Sequence, residues 1–574
     1  MLPSLKIPLR CIADTSTQYY RTRQNVKEKK QIIMATMLLS TFSLTTMAHR
    51  APPKMNLLYF FVDDLRPELG AYGAPRAATA GSPNIDALAA DALVFDRAYS
   101  QQAVCGPSRN SFLSGRRPDT TKTYTFKNSF RDVGPEWTSM LGLFKSNGYA
   151  VAGQGKVYHP SSPPLDDGNK SWSEAFLPYP EWSQAGDPCP GTPDDVVYDP
   201  ISETSSSSSS SSAAGAPAYP ANALNGPACP LNNAQASNLT DQRIADLAVH
   251  NLGVLAAAKE PWVLAVGFHK PHLPWAVPSE FYDLAPAATA ITLPLHQTPP
   301  TGMPEAAWWS CSESELAGYS NVNISDANPP LDAALVREWR RGYYASVAYT
   351  DYLVGSVLTA LAATGEAENT VVVLHGDHGW QLGEHGEWCK QSNFELATRV
   401  PLIIRVPGTA GAASRGKRTR AFVELVDMYR SLADVFNLSP VEEGVEGSSF
   451  APLLLADPTG KNHSAHAFSQ YPRCAGGADC MMFARADIAV MGYSIRSELS
   501  RYTEWRTWDG KALKADWTRA GRVGVEFYPH AASDPTGSSI SDFDNSENVN
   551  EANDPSKKDE IAKCAALLAA QFNK

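Results

Sequence analysis

Four stretches of the chain share one pattern, a short apolar run without alternation that stops abruptly on acidic, basic or imidazole side chains. Met55-Asn56-Leu57-Leu58-Tyr59-Phe60-Phe61-Val62 stops on Asp63-Asp64. Residues 149–152 run into Gly153-Gln154-Gly155-Lys156-Val157-Tyr158-His159, and 262–266 into Gly267-Phe268-His269-Lys270-Pro271-His272. Residues 370–374 run into His375-Gly376-Asp377-His378-Gly379. A run that is apolar at both parities predicts a strand buried on both faces, as in a parallel sheet. Ligands of open α/β sheets bind beyond the carboxyl ends of the strands. A lone histidine is more often a structural residue, but four strands each delivering Asp, His or Lys at that end predict one shared site. Two adjacent carboxylates beside a buried strand also need neutralising, and hard divalent cations choose oxygen ligands.

Between these runs the period changes to that of helices. Residues 84–98 carry Ile85, Leu88, Ala89, Ala92 and Leu93 at helical spacing, and 335–361 carry a longer stripe with Tyr343, Val347, Tyr349 and Leu353. Alternating helix and strand predicts an α/β fold, a large mostly parallel sheet sandwiched by helices. Pro401-Leu402-Ile403-Ile404-Arg405-Val406 reads as another strand, and 422–438 as a helix start with its apolar stripe. Past a boundary near 456–466, Ile488-Ala489-Val490-Met491 and Tyr493-Ser494-Ile495 read as two strands. The polar stretch 533–558 reads as loop, and the tail to Asn573 as a helix with Ala565, Leu567, Leu568 and Phe572. The expected organisation is an extension over 1–48, a main domain over 49–456 and a smaller subdomain over 457–574. A loop over 183–230, holding the serine tract 205–212, is inserted in the main domain.

Composition narrows the partners. A formal net charge of −11 over 574 residues speaks against nucleic acid, so any anionic ligand must meet locally concentrated cations. Nine cysteines are few for this length. Cys189 with Cys229 and Cys474 with Cys480 are reasonable disulfides in an oxidising compartment, whereas Cys11, Cys311, Cys389 and Cys564 have no evident partners. Sequons at Asn169, Asn238, Asn323, Asn437 and Asn462 suit secretory passage. A basic lead (Arg21, Arg23, Lys27, Lys29, Lys30), an apolar stretch over 32–48 and a small-residue end at Ala48 form a signal-peptide pattern. A signal anchor, or a translation start at Met34 or Met37, are the other readings. No later stretch reaches the roughly 18 consecutive apolar residues of a membrane span.

One further string carries chemistry. Val104-Cys105-Gly106-Pro107-Ser108-Arg109, continuing to Leu113-Ser114-Gly115-Arg116, reads as a short helix with a cysteine at its start. Pro107 suits the first turn and Gly115 a left-handed stop. Cys105 would lie at the positive end of the helix dipole with Arg109 nearby, a place to hold an anion or a nucleophile. Alternatively it is a buried cysteine below a helix start.

The string resembles the sulfatase signature C-x-P-S-R-x-x-x-L-[TS]-G-R. In that family the cysteine is converted to formylglycine by a formylglycine-generating enzyme, and the hydrated aldehyde attacks sulfur. The resemblance implies an alkaline-phosphatase-like fold, with a small antiparallel sheet in the C-terminal part. It implies a metal, Ca²⁺ with Mg²⁺ also possible, held by Asp63, Asp64, Asp377, His378 and the group made from Cys105. It also implies that Arg109 steadies that group, and that Lys156, His272 and Lys390 clamp the sulfate. One of His159 or His272 would assist proton transfer, with His269 behind them. Within the family, the iduronate-2-sulfatase subgroup is the most similar. The strings that carry this are Gly155-Lys156-Val157-Tyr158-His159-Pro160, His269-Lys270-Pro271-His272, Arg341-Gly342-Tyr343-Tyr344-Ala345-Ser346-Val347, Asp377-His378-Gly379-Trp380, Ser469-Gln470-Tyr471-Pro472-Arg473 and Met491-Gly492-Tyr493-Ser494-Ile495-Arg496. Cys389 and Gln391 beside Lys390, and the enlarged loop, depart from that subgroup. The expectation is a secreted or lysosomal hydrolase of a sulfated glycan, iduronate 2-sulfate first and other sulfated polysaccharides next. The alternatives are a phosphomonoester or phosphonate hydrolase of the same superfamily, or an inactive glycan-binding protein.

Overall fold

The computed structural model describes residues 54–74, 79–160, 162–174, 228–231, 239–309, 331–461, 463–475, 480–530 and 546–574. The proposed leader, the serine tract, Cys11, Cys189, Cys311 and three of the five sequons lie outside them.

Fourteen strands among the described residues are numbered in chain order. They are β1 Asn56–Val62, β2 Leu93–Tyr99, β3 Ala150–Gly155, β4 Ala228–Leu231, β5 Trp262–Phe268, β6 Trp275–Pro278 and β7 Thr370–Gly376. The remainder are β8 Arg399–Arg405, β9 Lys417–Glu424, β10 His466–Cys474, β11 Ile488–Ser497, β12 Ser500–Asp509, β13 Lys514–Ala515 and β14 Arg522–Pro529. A seven-stranded sheet has the order β3-β5-β1-β7-β8-β2-β9. The pairs β3–β5, β5–β1, β1–β7 and β2–β9 are parallel, whereas β8 runs antiparallel to both neighbours. The sheet is thus mostly parallel, as its apolar runs predict.

Every residue of β1 is buried because successive side chains enter opposite layers. Leu58, Phe60 and Val62 pack with the helices Thr240–Ala258 and Ala333–Thr364. Leu57, Tyr59 and Phe61 pack with the helices Cys105–Ser114, Met140–Ser146 and Asp427–Val435. Each such buried side chain contributes about 1.5–3 kcal/mol. The helix Ala333–Thr364 starts on Asp332, whose carboxylate accepts from the N–H groups of Ala334 and Leu335, and stops at Gly365 with φ 79°. Its length and composition would suffice to cross a membrane, but here it buries Trp339, Tyr343, Leu353 and Val357 in the core.

Two expected elements change. The helix expected over 84–98 ends at Ala90, and Leu93–Tyr99 is strand β2. The polar pair Asp96-Arg97 hid that strand, because it is buried only through ion pairs to Arg418 and Glu498. Phe422–Glu424 closes strand β9, so the helix expected from 422 begins at Asp427. The two strand-like runs near 490 are one strand, β11, passing through Gly492. A Cβ at Gly492 would press on the Trp505 ring at 2.7 Å, so glycine here serves packing and does not break the strand. Strands β10, β11, β12 and β14 form the expected small antiparallel sheet, with β13 added to β12 and the final helix Lys558–Phe572 against it. The Cys474–Cys480 disulfide is present. Cys389, for which the sequence offers no evident partner, is disulfide-bonded.

Candidate active site

Register brings the polar strand ends together. Gly155 lies beside Gly267, Val62 beside Phe268, and Val62 again beside Gly376. The ladder then runs one residue further, since the N–H groups of Lys156, Asp63 and Asp377 donate to the carbonyls of Gly267, Phe268 and Val62 at 2.8, 3.2 and 3.2 Å. Lys156, Asp63 and Asp377 therefore leave the sheet at one level. Glycine is required at the crossing of β3 and β5, where a Cβ on Gly267 would overlap the Lys156 carbonyl. Gly155 takes φ +71°, which turns the chain out of the sheet.

Past the strands, Asp64 adopts φ 58°, a left-handed conformation that aspartate tolerates better than most residues. Its N–H donates to Asp377 Oδ1 at 3.2 Å, and its carbonyl accepts from the Tyr343 hydroxyl at 2.8 Å. The helix Cys105–Ser114 starts on the expected cysteine and stops at Gly115 with φ 65°. All ten of its residues are buried. Ser108 Oγ fastens it to the Asp377 carbonyl at 2.6 Å. Arg109 spans three strand ends. Its Nε donates to Asp377 Oδ2 at 3.0 Å, Nη2 to Asp63 Oδ1 at 3.3 Å, and Nη1 to the carbonyls of Lys156 and Val157.

Cys105 is surrounded by the other expected residues. Lys156 Nζ pairs with Asp63 Oδ2 and lies 3.8 Å from Cys105 Sγ. His378 Nε2 lies 3.2 Å from the same sulfur, and its Nδ1 bonds the Gly379 carbonyl at 2.9 Å. That bond requires the proton on Nδ1 and leaves the Nε2 lone pair facing the cluster. Lys390 Nζ pairs with Asp64 Oδ1 at 2.8 Å and stands 5.1 Å over the Trp380 ring. One ligand atom from each of Asp63, Cys105, Asp377 and His378 falls within 4.8 Å of the others, and so do those of Asp63, Asp64, Cys105 and His272. His272 Nδ1 bonds the Leu273 carbonyl at 2.7 Å, which again turns an Nε2 lone pair outward. His159 stands beside the cluster, stacked on Phe126 and bonded to Ser162 Oγ at 2.9 Å. His375 belongs to the core instead, under the sheet against Tyr59, Phe61 and Phe112, where burial lowers its pKa to about 4.

Burial penalises every charge here, so neighbours decide each state. Burial pushes Asp63 up, but Lys156, Arg109 and Lys390 overcome it and hold the carboxyl well below its usual range. Asp377, next to Asp63, is pushed up to about 7 by burial, with Arg109 opposing. Burial, then Asp63, raises the Cys105 thiol well above its usual value, so the thiol stays protonated. Burial and the lysines keep His159, His272 and His378 neutral. Three carboxylates and a neutral imidazole form an oxygen-rich set that fits a hard divalent cation.

Some supporting residues were not singled out in the sequence. Asp241, in the first turn of the helix Thr240–Ala258, accepts from the N–H groups of His269 and Lys270 at 2.9 and 2.7 Å and from His269 Nδ1 at 3.1 Å. It thereby fixes the loop that carries His272. Arg66 binds Glu68 at 2.8 Å, Glu384 at 3.0 Å and the Trp380 carbonyl at 3.3 Å, joining the Asp63-Asp64 loop to the Lys390 loop. An acidic first turn is the only sequence signal for Asp241. For Arg66 there is none, since Glu384 lies 318 positions away.

The fold gathers at one point a group of side chains that could hold a metal ion and cations that could meet an anionic ester. Residues 55–438 match the family model described as Sulfatase. The chain belongs to the sulfatase family and is a sulfatase. It is 35% identical over 536 residues to the iduronate 2-sulfatase of Mus musculus, covering 84% of this chain and 91% of that one. It is 36% identical over 510 residues to the iduronate 2-sulfatase of Homo sapiens, covering 80% and 86%. In fold it is similar to the phosphonate monoester hydrolase of Silicibacter pomeroyi, with a TM-score of 0.62 at 18% identity, over 90% of this chain and 95% of that one.

Proposed function

We propose that this sulfatase removes sulfate from a sulfated uronate-containing glycan, iduronate 2-sulfate first, after Cys105 is converted to formylglycine. The observation that carries the reading is a convergence. Cation ligands (Asp63, Asp64, Asp377, His378) and anion-binding side chains (Lys156, Lys390, His272) meet around one buried residue, Cys105. A sulfate ester needs both kinds of group at one point. The similarity to two iduronate 2-sulfatases over most of the chain supports the sugar.

Ca²⁺, with Mg²⁺ as the alternative, would supply Lewis-acid polarisation of a sulfate oxygen, held by Asp63, Asp64, Asp377 and His378. The hydrated aldehyde would supply one hydroxyl for attack and a second to expel sulfate afterwards. The remaining work falls to side chains. Lys156 and Lys390 place positive charge on the ester oxygens, where it grows in value as charge develops. His272 and His159 are the imidazoles beside the cluster for moving the leaving-group proton. Arg109 holds Asp63 and Asp377 in place and so keeps the ligand set assembled.

The disulfides Cys474–Cys480 and at Cys389 suit an oxidising compartment, which supports entry to the secretory pathway through residues 32–48 with cleavage near Ala48. The mature enzyme would be extracellular or lysosomal, with a catalytic domain over 49–456 and a smaller subdomain over 457–574. The test is mass spectrometry of the peptide spanning Cys105 in secreted enzyme, followed by turnover of aryl sulfate, aryl phosphate and defined sulfated oligosaccharides. Formylglycine with sulfate preferred over phosphate is the expected result. Full activity with an intact thiol, or a phosphate preference, would overturn the reading.

A further inference from the structure

Strand β3 delivers His159 to the site, but a segment outside the large sheet packs on its ring. The Phe126 ring lies nearly flat on the His159 imidazole, with centroids 4.6 Å apart and planes inclined by 23°. His159 Nδ1 and Ser162 Oγ lie 2.9 Å apart. The last torsion of a histidine side chain is soft, so a ring packed on one face of the imidazole helps to fix its plane. A Cβ on Gly106 would meet Phe126 Cδ1 at 2.9 Å and Ser162 Oγ at 3.8 Å. The two residues that hold His159 therefore also lie against the residue that follows Cys105.

Phe126 is itself held from two directions. Its N–H donates to the Met481 carbonyl at 2.9 Å. Two positions earlier, the Tyr124 carbonyl accepts from Gln102 Nε2 at 2.8 Å, which ties this segment to the stretch leading into Cys105. The half-buried Phe126 ring packs against a buried group of Val104, Tyr471 and Met481. Tyr471 lies on β10, and Met481 follows Cys480, whose disulfide to Cys474 closes the segment between β10 and β11. A continuous path of contacts thus runs from the small antiparallel sheet through Met481 and Phe126 to an imidazole of the site.

We propose that Phe126 is a positioning residue for the reaction. It sets the plane of His159 for proton transfer, and the Met481 segment of the C-terminal part holds it there. This rests on the reading of His159 as one of the imidazoles that move a proton. Phe126 has no group that could donate or accept a proton, so its contribution passes through His159.

The test is a double-variant cycle in the full-length, secreted enzyme, read as aryl sulfate turnover at equal formylglycine content. Phe126→Leu keeps an apolar side chain and removes the stack, and should lower kcat roughly tenfold with KM unchanged. Phe126→Tyr keeps the ring and should retain the unmutated kcat. His159→Ala should lower kcat by about 10²-fold or more. Adding Phe126→Leu to His159→Ala should lower it no further, because the imidazole to be positioned is gone. Losses that multiply in the double variant, full kcat in Phe126→Leu, or an equal loss in Phe126→Tyr would each overturn the proposal and leave the role of His159 standing. A His159→Ala enzyme that turns over at the unmutated rate overturns the proton-transfer reading, and the proposal with it. Should Phe126→Leu not be secreted, Phe126→Met fills the same space without a ring and carries the same comparison.

Discussion

Two buried ionic clusters can be compared directly, because in both the side chains come close enough to hold a metal. One is the site around Cys105, and the other is Glu395 with His530 and Glu547. In the second, each acid has its own cation. Arg501 donates to Glu547 at 2.6 Å and to Glu395 at 2.7 Å, Arg496 to Glu395 at 2.9 Å, and His530 Nε2 lies 3.0 Å from Glu547. Tyr99 supplies a further bond to Glu395 at 3.0 Å, which ties the large sheet to the small one. Burial pushes both glutamates up, yet the guanidiniums win, leaving Glu395 well below its usual range and Glu547 at about 2. Around Cys105 the same ingredients do not settle. Asp63 is held low while Asp377 is pushed up to about 7, and one imidazole lies within 4 Å of three carboxylates. Two arginines fill the lone pairs of the Glu395 cluster, whereas around Cys105 one arginine, Arg109, and two compact lysine ammoniums share three carboxylates and leave oxygen lone pairs converging on one point. The Glu395 cluster is a clasp, whereas the groups around Cys105 are placed to hold a ligand.

That contrast can be broken from either side. Cys105→Ala should have the largest effect, a loss of about 10⁶-fold in kcat by analogy with nucleophile deletions, with thermal stability unchanged. Steady-state sulfate release and calorimetry would check both halves. Asp377→Asn should cost roughly 10³-fold or more, because Lewis-acid stabilisation is worth several kcal/mol, and should abolish the effect of chelator on the melting temperature. A chelator-sensitive Asp377→Asn enzyme would remove that residue from the ligand set. Lys390→Ala should cost about 10²–10³-fold in kcat and leave metal content, measured by elemental analysis, unaltered.

On the other cluster, Arg501→Met should leave kcat of the folded enzyme intact but destabilise it by about 3–5 kcal/mol, since it strands two buried carboxylates. Denaturant titration reads that difference, and a loss confined to kcat would contradict the clasp. The smallest effect concerns pH. Glu547 titrates lower in the fold than in the unfolded chain, so its contribution is complete above about 4.5 and is lost as pH falls towards about 2. Melting temperatures measured from pH 6 to 3 should fall over the acid part of that range, and Glu547→Gln should flatten the fall.

Much of this was visible without coordinates, and the reason is local. A strand buried on two faces must be apolar at both parities, so β1, β5 and β7 could be read directly, and the polar residues Asp63, Asp64, Asp377 and His378 at or beyond the ends of β1 and β7 come together around Cys105. Strand β2 could not, because Asp96 and Arg97 are tolerated in the interior only through partners more than 300 positions away. His375 was misleading for the same reason, since an imidazole at a strand end becomes a core residue when a tyrosine on the neighbouring strand donates its hydroxyl proton to Nε2. Cys389 offered no evident partner because sequence spacing says nothing about which sulfur a fold brings near.

The chain's own order of residues determines the sheet, the buried helix that begins at Cys105, and which side chains stand at the strand ends, since each depends on neighbours within a turn or a strand. Tertiary structure alone decides that Arg109 binds two carboxylates from different strands, that Asp241 and Arg66 brace the loops, and that Glu395 is held by two arginines while Asp377 is held by one. Those outcomes depend on charges brought together across hundreds of residues in a medium that screens them poorly, and periodicity carries no record of such distances.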